Sequence, residues 1–244
     1  MTVPNVTTMS EPLVFLPGMM CDAQLFAAQI ASFSADRTVA VAPITRGETV
    51  EDIAAHILDQ LPAHFALAGL SMGGIVAMEI LRRAPERITR LALMDTNPLA
   101  ETPQMAAGRE PQIVAAKAGR LHDVMRDEMK PKYLAPGPGQ EAVLDLVMQM
   151  ADTLGPEVFV RQSRALQRRP DQQATLRKCR VQTLVLCGAH DTLCPVKRHE
   201  FMAELIPHAT LVVIDGAGHL PPLEQPDATT QALRDWMAQP YVLR

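Results

Sequence analysis

The chain has 244 residues, of which 48% are hydrophobic and 20% charged, and its formal net charge is −4. This length and apolar content exclude intrinsic disorder and allow a large core, so a single globular domain is the default. The mild acidity argues against a nucleic-acid partner, because proteins that bind nucleic acids usually present a basic face.

The amino-terminal segment shows no targeting signal. Residues 1–11 read MTVPNVTTMSE, without a basic cluster, an apolar stretch or a small-residue cleavage pattern, and we expect a flexible leader there. No apolar run approaches the roughly 18 residues that a membrane span needs. We therefore predict a cytoplasmic protein without membrane association, whose four cysteines are reduced.

Six short apolar runs bounded by turn residues predict strands. They are Leu13–Leu16, Thr38–Ala42, Phe65–Ala68, Leu91–Met94, Thr183–Cys187 and Leu211–Ile214. Runs that are apolar at every position suit strands buried on both faces. Helical patterns lie between them, at Asp22–Phe33, Val50–Leu61, Met72–Arg83, Val196–Ile206 and Gln225–Met237. The alternation predicts an α/β fold with a mostly parallel sheet of about six strands, covered by helices on both faces.

The stretch from Pro98 to Lys178 interrupts this alternation. It shows helical periodicity around residues 113–129, 141–150 and 157–166 but contains no convincing strand. Such a block between two strands of a parallel sheet predicts an inserted helical cap. We therefore divide the chain into a core of residues 12–97 and 179–244 and a cap of residues 98–178.

The strongest chemical signal is a serine at a strand-to-helix turn. In the sequence FALAGLSMGG, residues 65–74, Ser71 lies between Gly69 and Gly73 where an apolar strand passes directly into a helix. Backbones crowd together at such a turn, and glycines on both sides leave room for them. The turn would expose Ser71 as a nucleophile, although a serine that merely caps the helix is the simpler alternative.

A serine hydroxyl is a poor nucleophile at neutral pH, so it needs a histidine base and a carboxylate that orients this base. Among seven histidines, His219 stands out because it follows the last strand in the glycine-rich sequence DGAGH. Asp191 follows the fifth strand, at the carboxyl edge where open parallel sheets bind ligands. Asp95 also ends a strand and remains the alternative acid.

Backbone amides beside the serine could stabilise an oxyanion. Met72 follows the serine, and Met19 lies where Gly18 lets the chain turn after the first strand, although a simple βα turn would look the same. We expect Gly18, Met20 and Leu220 to contact the substrate. Methionines around the site favour a flexible, apolar acyl or alkyl group.

Together these segments resemble the α/β-hydrolase superfamily. The resemblance rests on Gly69–Gly74, on Gly188–Asp191 with Pro195, and on Gly216–His219. The segment Ala40–Gly47 adds a similarity to small bacterial carboxylesterases and lactonases, such as the pimeloyl-carrier-protein methyl ester esterases and the 3-oxoadipate enol-lactonases. The resemblance implies Ser71 as nucleophile, Asp191 as triad acid, His219 as base, and the amides of Met19 and Met72 as the oxyanion hole.

Two features depart from that superfamily. Its usual His-Gly pair in the oxyanion loop is Pro17-Gly18 here, which leaves donation by the Met19 amide possible. The short leader also indicates that the antiparallel opening strands are missing.

The predicted function is that of a serine hydrolase. It would cleave a carboxylic ester of a small, largely apolar substrate through an acyl-enzyme on Ser71, with no metal or organic cofactor. A lactonase, a thioesterase or a carbon–carbon bond hydrolase could use the same triad, and the fold alone does not choose among them. A ligand receptor that kept the fold but lost turnover is the alternative from another class.

A locally basic stretch covers the end of the predicted cap. It comprises Arg161, Arg164, Arg168, Arg169, Arg177, Lys178 and Arg180. We expect a solvated helix face, with an acyl-carrier partner at the cap as the alternative.

Overall fold

One parallel sheet organises the fold in the computed structural model, which describes residues 11–129 and 133–242. Its strands are β1 (Leu13–Leu16), β2 (Val39–Val41), β3 (Phe65–Leu70), β4 (Ile88–Met94), β5 (Gln182–Gly188) and β6 (Ala209–Ile214). Their order is β2-β1-β3-β4-β5-β6, and all five pairings are parallel. The predicted α/β fold with about six strands is confirmed.

Helices connect the strands. In the described ranges they are α1 (Ala27–Phe33), α2 (Val50–Leu58), α3 (Met72–Arg83), α4 (Pro103–Ala115), α5 (Leu121–Asp123), α6 (Gln140–Gln167), α7 (Gln173–Arg177), α8 (Val196–Leu205), α9 (Pro221–Glu224) and α10 (Pro226–Ala238). None of them is long and apolar enough to cross a membrane.

The sheet is buried on both faces because successive strand residues point to opposite sides. In β1, Leu13 and Phe15 join a core that contains Trp236 of α10. Val14 and Leu16 face the other way, into a core formed with α2, α3 and α8. Each face therefore has its own layer of helices, as the continuous apolar runs predicted.

β4 begins three residues earlier than its predicted apolar run, the largest such difference among the six strands. β4 starts at Ile88, because Thr89 and Arg90 interrupt the hydrophobic pattern without ending the strand. Arg90 is buried, and its Nε donates a hydrogen bond to Glu11 Oε2 at 3.0 Å. Glu11 is thus fixed to the core, whereas the rest of the predicted flexible leader, residues 1–10, lies outside the described residues.

In the described residues, helices α4 to α7 lie between β4 and β5, where the sequence predicts an inserted cap. α4 begins at Pro103, ahead of the predicted periodicity, and the Thr102 hydroxyl caps it by accepting from Met105 N at 3.3 Å. α6 is interrupted at Gly155, whose φ of 78° and ψ of 175° are not helical, so it consists of two helical segments that correspond to the two predicted around residues 141–150 and 157–166. Between α4 and α5, and after α5, the chain forms short π-helical segments.

Candidate active site

Ser71 occupies a strained turn between β3 and α3. Its φ of 54° lies in the left-handed region, which a residue with a side chain rarely adopts. A Cβ at Gly69 would lie 2.4 Å from Gly73 O, and one at Gly73 would lie 2.1 Å from Leu16 O. The glycines therefore permit the close packing of β1, β3 and α3 that holds the serine in this conformation.

Hydrogen bonds from neighbouring elements fix this turn. Ser71 N donates to Met94 O at 2.8 Å, and the Thr96 hydroxyl donates to Ser71 O at 2.7 Å. Thr96 N in turn donates to Nε2 of the buried His199 at 3.1 Å. The backbone of Ser71 is thus tied to β4 and, through Thr96, to α8.

Ser71, His219 and Asp191 form a continuous chain of contacts. His219 Nε2 lies 2.9 Å from Ser71 Oγ, and His219 Nδ1 lies 2.8 Å from Asp191 Oδ2. With its proton on Nδ1, the imidazole donates to Asp191 and can accept from the serine hydroxyl. The arrangement can therefore take a proton from Ser71 and stabilise the resulting imidazolium.

Asp191 is held in its charged form. Burial on its own would raise the pKa of this carboxyl, but the hydrogen bond with His219 and those from two backbone amides outweigh burial and lower the pKa. The amides are those of Leu193 and Cys194, which donate to Oδ1 at 2.8 and 2.9 Å. A charged Asp191 is what an imidazolium partner requires.

Asp95 does not contact the histidine, so the alternative acid considered from the sequence is not supported. Its Oδ1 accepts from Gly188 N at 2.9 Å, and the carboxyl also lies within hydrogen-bonding reach of Asp191. Burial and the nearby Asp191 carboxylate raise the pKa of Asp95 well above its ordinary value. The sequence could not separate the two aspartates, because both follow strands at the same sheet edge.

The loop that carries His219 is fixed by Glu224 and Tyr133. Glu224 accepts hydrogen bonds from the amides of Gly218 and Leu220, each at 2.9 Å. His219 N donates to Tyr133 O at 2.6 Å, and the two rings lie 5.2 Å apart in a tilted arrangement. Sequence reasoning missed both residues, because neither Glu224, the last residue of α9, nor Tyr133, in the predicted cap, belongs to a motif that links it to His219.

The loop after β1 brings Met19 beside Met72. A Cβ at Gly73 would also lie 2.6 Å from Pro17 O, so the start of α3 packs directly against this loop. As the first residue of α3, Met72 has an amide without an intrahelical acceptor. The Met19 amide makes no hydrogen bond with a described residue, whereas the next amide, of Met20, donates to Gln162 Oε1 at 2.9 Å.

A cavity of about 380 Å³ opens beside Ser71 and His219. Its wall includes Met19 and Met72, but not Gly18, Met20 or Leu220, which we expected to contact the substrate. This expectation needs correction because Met20 and Leu220 are fully buried in the core beneath the site. Residues that the sequence did not single out also line the cavity, among them Asn97, Glu101, Arg109, Tyr133 and Cys194.

The basic stretch of the cap does not form one free surface. Arg161 donates to Thr45 O, and Arg164 pairs with Glu110. Arg169 turns inward and lines the cavity, whereas Arg177 is exposed. Arginines that are near one another in sequence therefore lie in different environments. A docking site for a carrier protein stays a prediction.

Asp191, Cys194 and His219 also form a cluster of metal-ligand types, with one ligand atom from each lying within 4.8 Å of the others. Asp191 Oδ2 and His219 Nδ1 already bond to each other and are therefore not free to bind a metal ion. Burial, reinforced by Asp191 and Asp95, raises the pKa of the Cys194 thiol well above its ordinary value, which disfavours the thiolate that a metal prefers. The donor set therefore suits acid–base chemistry better than metal binding.

The burial of His199 predicts that the stability of the protein depends on pH. Burial lowers the pKa of this histidine from 6.5 to about 4, so the unfolded chain binds its proton first as the pH falls. The contribution of His199 to the free energy of unfolding is therefore fully present above pH 6.5. It is lost as the pH falls towards 4, and the total loss is roughly 3 kcal/mol. Urea unfolding between pH 7 and pH 4.5 should show this loss.

His199→Gln serves as the control, because glutamine can still accept from Thr96 N but does not titrate. We expect a flatter dependence of the free energy of unfolding on pH in this variant than in the wild type. Parallel curves for the two proteins would contradict a neutral, buried His199.

The chain matches the alpha/beta hydrolase family over residues 13–232 and belongs to it. The pimeloyl-[acyl-carrier protein] methyl ester esterase of Aromatoleum aromaticum is 28% identical over 202 residues, which cover 78% of this chain and 80% of that protein. The protein is a carboxylic ester hydrolase, which confirms the class predicted from the sequence.

Solved structures agree with this assignment. A thermophilic esterase from Thermogutta terrifontis, determined with malate bound, has a TM-score of 0.86 and 29% identity, covering 94% of this chain and 90% of that one. The enol-lactonase from Burkholderia xenovorans has a TM-score of 0.84 at 22% identity, covering 96% and 94%. The second likeness supports the fold alone.

Proposed function

We propose that the protein hydrolyses a carboxylic ester of a small substrate through an acyl-enzyme on Ser71. The observation that carries this proposal is the unbroken contact from Asp191 through His219 to the Ser71 hydroxyl, at 2.8 and 2.9 Å. The hydroxyl faces a cavity, which gives a substrate access to it. This geometry also argues against a receptor that has lost its catalytic residues.

The reaction would proceed in two steps. In the first, His219 accepts the Ser71 proton while Oγ attacks the ester carbonyl, and it then passes this proton to the departing alcohol. In the second, His219 activates a water molecule that releases the acid and restores the serine. The amides of Met19 and Met72, adjacent on the cavity wall, would stabilise the oxyanion formed in each step.

The substrate class follows from the cavity. Its volume of about 380 Å³ suits a small ligand, and Met19, Met72, Ile75 and Met105 make part of its wall apolar. We therefore expect a short or medium acyl or aryl ester. A lactone, a thioester or a carbon–carbon bond next to a carbonyl would pass through the same intermediate, so these classes are alternative outcomes of the test.

A p-nitrophenyl ester series from acetate to decanoate tests the proposal. We expect release of p-nitrophenol by the wild type, with the highest kcat/KM at short or medium chains and a decline towards decanoate as the cavity fills. Folded protein without activity on any member would contradict the ester hydrolase proposal. Assays of lactone and thioester substrates would then separate the alternatives.

A further inference from the structure

A group of charged side chains lies in the cavity wall, apart from the proposed catalytic residues. Glu101 has only 1% of its side chain exposed, and Arg109 binds its carboxylate through Nε at 2.9 Å and Nη2 at 2.5 Å. Arg169 approaches the same carboxylate, with Nη1 at 3.6 Å from Oε1. All three residues line the cavity that contains Ser71.

Arg169 has more hydrogen-bond donors than partners. Its guanidinium carries five N–H groups, and its Nε donates to Leu99 O at 2.9 Å. Among the described residues, no acceptor lies within hydrogen-bond distance of Nη1 or Nη2, although only 7% of the side chain is exposed. Neither Nη1 nor Nη2 is a fully buried atom without a partner, so both open onto the cavity, where a ligand could supply the acceptors that the protein does not.

The charges of the group do not cancel. Two guanidinium groups face the single buried carboxylate of Glu101, which leaves one surplus positive charge within this group of three residues. The cavity wall has another carboxylate, Glu128, but this residue is exposed and accepts from Gln112 Nε2 at 3.1 Å. One surplus charge matches a singly charged anion better than a phosphate dianion.

The geometry points to a carboxylate as this anion. A guanidinium presents parallel N–H groups in a plane, and a carboxylate accepts two of them at once. We propose that Arg169, assisted by Arg109, binds a free carboxylate of the substrate while Ser71 attacks a separate ester or lactone group. This inference rests on the proposed function, which it refines from small esters to esters that carry a second, ionised acid group.

A matched pair of esters tests the inference. p-Nitrophenyl hydrogen glutarate and p-nitrophenyl pentanoate have acyl chains of equal length and differ in a terminal carboxylate against a methyl group. We expect the wild type to prefer the glutarate ester, and Arg169→Gln to lower the glutarate-to-pentanoate ratio of kcat/KM by at least about tenfold. Arg169→Lys should retain part of the preference, because it keeps the charge but loses the planar fork.

Inhibition provides a second arm that does not depend on which side of the ester carries the carboxylate. Free butanoate, which carries a single charge, should inhibit pentanoate hydrolysis more strongly than inorganic phosphate does, and Arg169→Gln should weaken inhibition by butanoate at least about tenfold. Arg177→Gln is the matched control, because this arginine is exposed and does not line the cavity. It should behave as the wild type in both arms.

Each outcome bears on the inference. Dependence on Arg169 in either arm supports it. If Arg169→Gln does not fold, Arg109→Gln is measured in its place. Hydrolysis of the pentanoate ester with no Arg169 dependence in either arm would overturn the carboxylate site and leave the proposed function intact. Stronger inhibition by phosphate would overturn the choice of carboxylate. Folded wild type inactive on both esters would contradict the proposed function itself.

Discussion

Ser71→Ala is expected to lower kcat/KM for ester hydrolysis by about 10⁵-fold or more. The variant keeps the cavity and His219 but removes the atom that would attack the carbonyl, and such losses are typical of catalytic serines. Among the described residues the Ser71 hydroxyl hydrogen-bonds only with His219, so we expect its removal to leave the packing intact. The thermal unfolding midpoint should therefore stay within a few degrees of the wild-type value.

Ser34→Ala is the matched control for this variant. Ser34 is exposed, and its hydroxyl bonds only to Ala31 O, at 3.3 Å. We expect wild-type kinetics from it. Comparable activity of Ser71→Ala and Ser34→Ala would mean that Ser71 is not the nucleophile.

Asp191→Asn should reduce kcat by about 10⁴-fold, whereas Asp95→Asn should reduce it by less than about tenfold. An amide at position 191 no longer fixes the Nδ1 proton of His219 or stabilises an imidazolium. At position 95 the side chain already has a raised pKa, and an amide oxygen can still accept from Gly188 N. Both substitutions preserve shape, so their kinetics can be compared directly.

Steady-state kinetics of the two variants at pH 7.5, with thermal unfolding curves as a check on folding, decide between the aspartates. The structural argument would fail if Asp95→Asn were the more damaging of the two while still folded. Equal, small effects would mean that His219 needs no carboxylate partner.

The sheet was predictable from sequence because its signals are local. Continuous apolar runs indicate strands buried on both faces, and each predicted run corresponds to an observed strand. The bounds shifted where a polar residue is satisfied by tertiary contacts, as for Arg90 with Glu11. Ser71 and His219 could be selected as candidates for a similar reason, since glycines mark the turns in which they lie.

The cap and the cavity wall were less predictable, because they depend on contacts between distant segments. Arg169 belongs to a run of cations that looks solvated in sequence, yet it is buried against Glu101. Met20 and Leu220 were expected to contact the substrate on the basis of their neighbours, but their side chains pack into the core. Periodicity predicts which face of a helix or strand is buried, but it does not predict which residues of other segments pack against that face.

The start of α4 shows a signal that was present and overlooked. Thr102 followed by Pro103 is a favourable helix start, with a capping hydroxyl and a proline in the first turn. The polar sequence after it and Pro111 within it obscured the periodicity. Capping residues would therefore have located the start of this helix better than hydrophobic spacing did.

Covalent labelling with a fluorophosphonate probe tests the central claim most directly, because the probe reacts with an activated serine whatever the natural substrate. We expect one adduct per chain by intact mass, located on Ser71 by peptide mapping, absent from Ser71→Ala and strongly slowed in Asp191→Asn. An unlabelled, folded wild-type protein, or an adduct on another residue, would contradict the assignment of Ser71 as an activated nucleophile.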